Sequence, residues 1–158
     1  MPTTYNHALD ALSRRSRSAS ELTRWLRERE HDPEEIASAV ERLTASGLLD
    51  DAKFAAVFAR SRLIDRKLSK RRVLTELSRR GVARDIAGQA VNAVMEDEGV
   101  DEEAQVVLVA ERKFRSLARL DRQVAYRRLS GFLARRGYDG DVVRRVVARV
   151  MKAPQASD

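Results

Sequence analysis

Apolar residues recur along the chain at intervals of three and four, the spacing of one face of an α-helix, and they come in groups of three helices. In the first group Ala8, Leu9 and Leu12 share one side of a short helix. Leu22, Trp25 and Leu26 line a second, and Ile36, Val40 and Leu43 a third. Turn chemistry separates them. Ser18-Ala-Ser-Glu21 is a capping box, in which a serine hydroxyl and a glutamate three residues on satisfy free backbone donors. Asp32-Pro-Glu-Glu35 supplies a cap, a proline where its missing N–H does no harm, and two acids in a first turn. Gly47 closes the group.

The order then repeats. Leu48-Leu-Asp-Asp51 opens a helix with the stripe Phe54, Val57, Phe58 and Ile64, broken at Lys67 to Lys70. Val73, Leu74 and Leu77 line the next helix up to Gly81, and Ile86, Ala90 and Val94 the one after it. In the third group Asp101-Glu-Glu103 starts a helix through Ala104, Val107, Leu108 and Phe114. Asp121 caps one with Ala125, Leu129, Phe132 and Leu133 inward, ending at Gly137. Val142, Val146 and Val150 beside Val143, Val147 and Met151 make the last face. The apolar run Val106 to Ala110 has the look of a buried strand, but charged residues flank it without a turn signal, so it reads as helix.

Leu77 to Ile86 (LSRRGVARDI) returns 56 positions later as Leu133 to Val142 (LARRGYDGDV). Each copy holds a buried leucine, two arginines in a last helical turn, a helix-ending glycine and an aspartate near the next helix start. Leu26, Leu77 and Leu133 align, as do Ile36, Ile86 and Val142, with one extra turn residue in the first copy. The expectation is an all-α fold, an elongated and curved array of three tandem three-helix repeats over residues 4–49, 50–98 and 99–151, with a flexible tail at 152–158. Each unit is too small for a generous core of its own, so neighbours should pack end to end.

Composition narrows function mainly by exclusion. The 158 residues include no cysteine, which removes disulfides and thiolate-bound metal. No phosphate-binding glycine loop occurs, no apolar run reaches membrane-spanning length, and no signal-peptide pattern opens the chain. His7 and His31 lack ligand spacing, His31 reading as a turn residue. Asp50-Asp51 stands just before a helix and reads as capping rather than catalysis. No catalytic residue, metal or cofactor is expected. Phe54, Phe58, Phe114 and Phe132 fall at core spacing rather than as base-stacking platforms; Trp25 fits either role.

Charge is what remains. The sequence carries 31 basic and 24 acidic residues, net +7. Residues 1–50 hold 7 basic and 9 acidic, 51–97 hold 11 and 6, and 98–158 hold 13 and 9, so the positive field belongs to the second and third repeats. Candidate contact residues are Arg66, Lys67, Lys70, Arg71, Arg72, Arg79, Arg80, Arg135, Arg136, Arg144, Arg145 and Arg149. A plain solvated helix face is the competing account for each. Taken as a group they favour an acidic protein surface or exposed phosphate.

Several stretches also resemble a known family. Arg15-Ser-Arg-Ser-Ala-Ser-Glu-Leu22 is similar to the R-x-R-S-x-x-E-L signature in the first repeat of RecX regulatory proteins. Gly47 to Ala55 (GLLDDAKFA) and Arg71 to Val82 (RRVLTELSRRGV) resemble the second-repeat signature. The similarity runs from about Leu9 to Met151. It departs at two turns: Glu30 and His31 follow the second helix, and Lys67-Leu-Ser69 stands where a glycine is common. The resemblance implies a non-enzymatic cytoplasmic modulator of the RecA recombinase, usually an inhibitor, lying in the groove of the RecA filament on DNA, with a monomer expected and no membrane partner. The alternative is a helix-turn-helix DNA-binding regulator. Its candidate recognition helices begin Ala83-Arg-Asp and Gly140-Asp-Val, which offer one basic residue between them and leave phosphate contact rather than base reading.

Overall fold

The computed structural model describes residues 2–152, and within them every regular element is helical. α1 spans Thr4–Arg14, α2 Ala19–Arg27, α3 Pro33–Ala45 and α4 Asp51–Arg60; α5 spans Lys70–Arg79, α6 Arg84–Asp97, α7 Glu102–Leu117, α8 Arg122–Arg135 and α9 Gly140–Lys152. Of the tail expected from residue 152, Lys152 closes α9, and the rest lies outside the described residues. The chain divides into two compact units, Met1–Ala59 with Leu74–Ala93, and Arg60–Val73 with Val94–Asp158.

Helix starts follow the polar signals. Thr3, Ser18, Asp32, Asp101 and Asp121 cap α1, α2, α3, α7 and α8, and Ser18 with Glu21 completes the reciprocal box. Such a cap contributes about 1 kcal/mol over alanine. Asp50 caps α4 through the Lys53 amide at 3.1 Å. Asp51 instead accepts from the amide of Ala19 at 2.8 Å, so it caps α2 from a different repeat. No neighbour in sequence announces that role.

The first repeat packs α1, α2 and α3 on one another around Ala8, Ala11, Leu22, Leu26, Ile36, Leu43 and Leu49. α7, α8 and α9 enclose Val106, Ala110, Leu129, Leu133, Val146 and Val147. Each fully buried leucine or valine is worth roughly 1.5–3 kcal/mol relative to exposure. The run Val106 to Ala110 is helical, as its charged flanks imply. Trp25 lies half-buried against the first core, with the guanidiniums of Arg29 and Arg17 at 3.8 and 5.4 Å from its ring centre.

Three residues assigned inward by spacing turn outward: Ala104 is exposed, Val57 is 63% exposed and Leu108 64%. The buried face of α4 is Phe54, Ala55, Phe58 and Ala59, and that of α7 is Val106, Val107, Ala110 and Leu117. Small alanines, which a hydrophobic stripe undercounts, rotate both faces and leave Val57 and Leu108 on the far side. Beyond α4 the helix widens into a π-helical turn, Ser61–Asp65, where the Arg66 amide reaches the Ser61 carbonyl at 3.1 Å.

The second helix of every repeat ends in the same way. The amides of His31, Val82 and Tyr138 reach back to the carbonyls of Leu26, Leu77 and Leu133, at 3.3, 3.1 and 3.3 Å. This is a Schellman turn, which needs a left-handed residue in between. Gly81 at φ 80° and Gly137 at φ 91° fill that place, and in the first repeat Glu30 does so at φ 61°. Lys67, the other departure from the family pattern, also stands left-handed at φ 52°. The turns are therefore kept although the glycines are not, at a cost of about 1–2 kcal/mol per residue.

In both units this turn docks on the start of another second helix. The Ser18 hydroxyl donates to the Arg80 carbonyl at 2.5 Å, and the Ser69 amide donates to the Arg136 carbonyl at 3.0 Å. A methyl group on Gly81 would clash with the Ser20 side chain, and one on Gly137 with Ser69 and Arg72. Gly47, left-handed at φ 78°, has open space around it.

Two stability predictions follow from these turns. Gly137→Ala and Gly81→Ala should each lower urea-denaturation stability by roughly 2–4 kcal/mol, against about 1 kcal/mol for Gly47→Ala; equal losses at all three would place the cost in backbone conformation alone. Glu30→Gly should raise thermal stability by about 1 kcal/mol as left-handed strain is relieved, and a lower melting temperature would mean that the Glu30 side chain holds the turn.

Candidate functional site

The sequence at the end of α8 places part of a cluster of cations. The last turn of α8 carries Arg135, with Arg136 at the C-cap, both favoured by the exposed carbonyl end of the helix. The Gly137 turn then directs Tyr138 inward, where it is buried. The Tyr138 hydroxyl donates to the Lys67 carbonyl at 2.7 Å and receives the Gln105 amide at 3.1 Å. Burial raises its pKa above the ordinary phenol value, with the Gln105 hydrogen bond opposing, so the donor proton is retained. Together with the Ser69–Arg136 bond, this fastens the end of α8 to the segment 66–72.

Guanidiniums complete the junction. Arg136 donates to the Arg66 carbonyl, and Arg72 to the Arg135 carbonyl. The Arg136 guanidinium also lies 4.5 Å from the centre of the Phe132 ring, and the Lys113 ammonium lies 5.0 Å from it. Arg135 extends along its own helix past Gly131, where even a methyl group would approach the guanidinium to 3.1 Å.

Between these residues and α7 opens a cleft of about 820 Å³. Arg66, Lys67 and Arg72 form one side, Arg135 and Arg136 another, and Arg112 and Arg115 of α7 the third. Asp65 is the one carboxylate among the lining residues, against seven cations. The floor is apolar, formed by Leu68, Leu108, Val109 and Phe132. Such a site suits an extended anion with an apolar part, since fixed guanidiniums bind carboxylate or phosphate through paired hydrogen bonds.

Five of the twelve sequence candidates, Arg66, Lys67, Arg72, Arg135 and Arg136, come together in this cleft. Lys70 is half-buried in the first turn of α5, and Arg71 beside it lies 3.6 Å from Asp139. Arg79 is exposed on α5. Arg80 is 3.2 Å from Glu21 and 4.7 Å from the Phe58 ring centre, which places it in the packing of its own unit. Arg144 pairs with Asp141 and Arg145 with Glu103, while Arg149 lies exposed on α9 in a shallow hollow shared with Asp101, Glu103 and Glu111.

Sequence reasoning passed over Arg112 and Arg115. They share the outward stripe of Leu108 at steps of four and three, a stripe visible once Val106, Ala110 and Leu117 are taken as the inner face. His31 also differs from its reading as a turn decoration. It is half-buried, 2.9 Å from His7 Nδ1 and 3.0 Å from the Thr4 hydroxyl, which donates to Glu35. Among the described residues no group of three or more His, Asp or Glu side chains could hold a metal ion, and no helix is long and apolar enough to cross a membrane.

Comparison with known proteins places these repeats. Residues 5–43, 50–91 and 101–147 match in turn the family models for the first, second and third three-helix domains of RecX. The chain is 40% identical over 141 residues to the regulatory protein RecX of Halorhodospira halophila, covering 89% of this chain and 84% of that one. It is 36% identical over 129 residues to the RecX of Amycolatopsis mediterranei, covering 82% and 72%. The crystal structure of RecX from Lactobacillus salivarius has the same fold, with a TM-score of 0.73 at 19% identity over 94% of both chains. With all three domains matched in order and relatives similar over most of their length, the chain belongs to the RecX family of regulatory proteins.

Proposed function

We propose that the protein is a non-enzymatic regulator that binds the RecA filament on DNA and lowers its ATPase and strand-exchange activity. Membership of the RecX family supplies the regulatory role, and the basic cleft is the observation that carries the binding mode. Seven cations around an apolar floor favour an acidic protein surface over a small substrate. The arginines of α9 and the exposed Arg79 would add contacts of the rim type, which set encounter rate more than affinity. In this reading the protein works as a monomer in the cytoplasm with RecA, and DNA enters only through its phosphates. The second turns of α6 and α9 follow first turns that carry Asp85 and Asp141, charges that repel a phosphate backbone at the end a reading helix would use.

The test is a titration into RecA filaments on single-stranded DNA, following ATP hydrolysis beside direct DNA binding. Hydrolysis should fall as protein is added. Arg112→Glu with Arg135→Glu should raise the concentration needed for half-effect at least tenfold, about 1.4 kcal/mol, with helicity by circular dichroism unchanged. Arg144→Glu with Arg149→Glu should raise it only a few-fold. Unchanged hydrolysis beside salt-resistant, selective binding of a defined duplex would overturn the proposal in favour of a DNA-binding regulator.

A further inference from the structure

We infer that the cleft between α7, the end of α8 and the segment 65–72 takes an acidic, extended peptide segment anchored by an apolar side chain, rather than a nucleic-acid strand. This deepens the functional reading above and rests on it for the cleft being a partner surface.

Three observations on the cleft decide between the two polyanions. The first is Leu108, an apolar side chain 64% exposed on the outward stripe of α7, with Val109 beside it. Exposed leucine beside guanidiniums contributes nothing to a phosphodiester backbone, but it offers an apolar residue of a peptide somewhere to lose water. Arg112 and Arg115 follow Leu108 on the same stripe, so an apolar anchor and its flanking carboxylates meet their partners along one line of the helix.

The second is Phe132. Binding of single strands draws much of its energy from bases stacking on open aromatic faces. Phe132 is the aromatic residue of this cleft, and its ring is already engaged by Lys113 and Arg136. Phe132 thus serves as an apolar floor that orients cations. It does not serve as a platform for bases.

The third is the kind of cation. Six of the seven are arginines, whose planar forks pair two hydrogen bonds with one carboxylate. Arg136 and Arg72 donate to peptide carbonyls, which fix the direction of both guanidiniums at the cleft. Arg112, Arg115 and Arg135 stand exposed on the two helix walls. A carboxylate-bearing segment lying between these walls meets donors on both sides and leucine beneath.

The inference is tested on the full chain without RecA, by fluorescence anisotropy with three probes of matched net charge. One is a fluorescein-labelled ten-residue peptide of Asp and Glu with a central Leu. A second has Ser in place of that Leu, and the third is a short oligothymidylate. The leucine peptide should bind at least tenfold more tightly than either of the others. Arg112→Glu with Arg115→Glu should weaken it at least tenfold. Leu108→Ser should reduce its binding to the level of the serine peptide while leaving the serine peptide's own binding unchanged. Equal binding of the two peptides, tighter binding of the oligothymidylate, or no binding of any probe would each overturn the inference. Because filament inhibition is measured separately, inhibition without peptide binding sinks this inference alone, and peptide binding without inhibition sinks the proposed function alone.

Discussion

A single kind of junction carries both the architecture and the site. The second helix of a repeat ends in a left-handed turn, and the carbonyl just before that turn accepts a hydrogen bond from a serine at the start of another second helix: Arg80 from Ser18, and Arg136 from Ser69. Close approach is the constraint. A glycine is required not only for its conformation but because the facing serine leaves no room for a methyl group. Each three-helix repeat on its own has few buried residues to set against the entropy of ordering its chain. Junctions of this kind add buried polar bonds and apolar area without lengthening any helix, which is how small repeats commonly reach stability.

The same junction assembles the cleft. Arg135 in the last turn of α8 and Arg136 at its C-cap sit where a helix end favours positive charge. The docking of that turn brings them beside Arg66, Lys67 and Arg72, which are some 65 residues away in sequence. Structural residues and cleft-lining residues are therefore adjacent: Gly137 and Tyr138 hold the joint, Arg136 is half-buried beside them, and Arg135 is exposed. Arg80 occupies the equivalent place in the other unit, yet there a carboxylate, Glu21, takes up its charge. The homologous turn thus serves as a packing device in one unit and as the edge of a cationic cleft in the other.

Most of the fold was legible in the sequence because its signals are local. Capping serines and aspartates, helix-ending glycines and steps of three and four report on neighbours within one turn, and the structure places helices where they indicate. What escaped was set by distant partners. Asp51 resembles any helix-start aspartate, but its acceptor is spent on Ala19. Glu30 and Lys67 carry no hint of left-handed backbone except their alignment with glycines elsewhere. Val57 and Leu108 were assigned inward because alanines were given too little weight as core residues. Of the cleft, the arginines beside the repeated turn could be named from the sequence as a group. Arg112 and Arg115 could not, since their helix phase follows from the same error over Leu108. Only the tertiary docking brings five of the candidates to one cleft and leaves others, such as Arg144 and Arg145 with their acidic partners, outside it.

The way Arg136 is held has a thermodynamic consequence. Its guanidinium donates to the Arg66 carbonyl, which is a dipole and not a charge, so that bond supplies orientation without cancelling the charge. At rest, the cleft must gather mobile anions from the medium around it. A polyanion of the kind proposed would displace that ionic cloud, and the dispersal of small ions into bulk solution would become part of what drives association. Binding at this surface would then draw on the dilution of salt, strongest in a dilute medium and fading as ionic strength rises. Where Glu21 sits on Arg80, no such reservoir exists, because the counter-charge is covalently part of the chain.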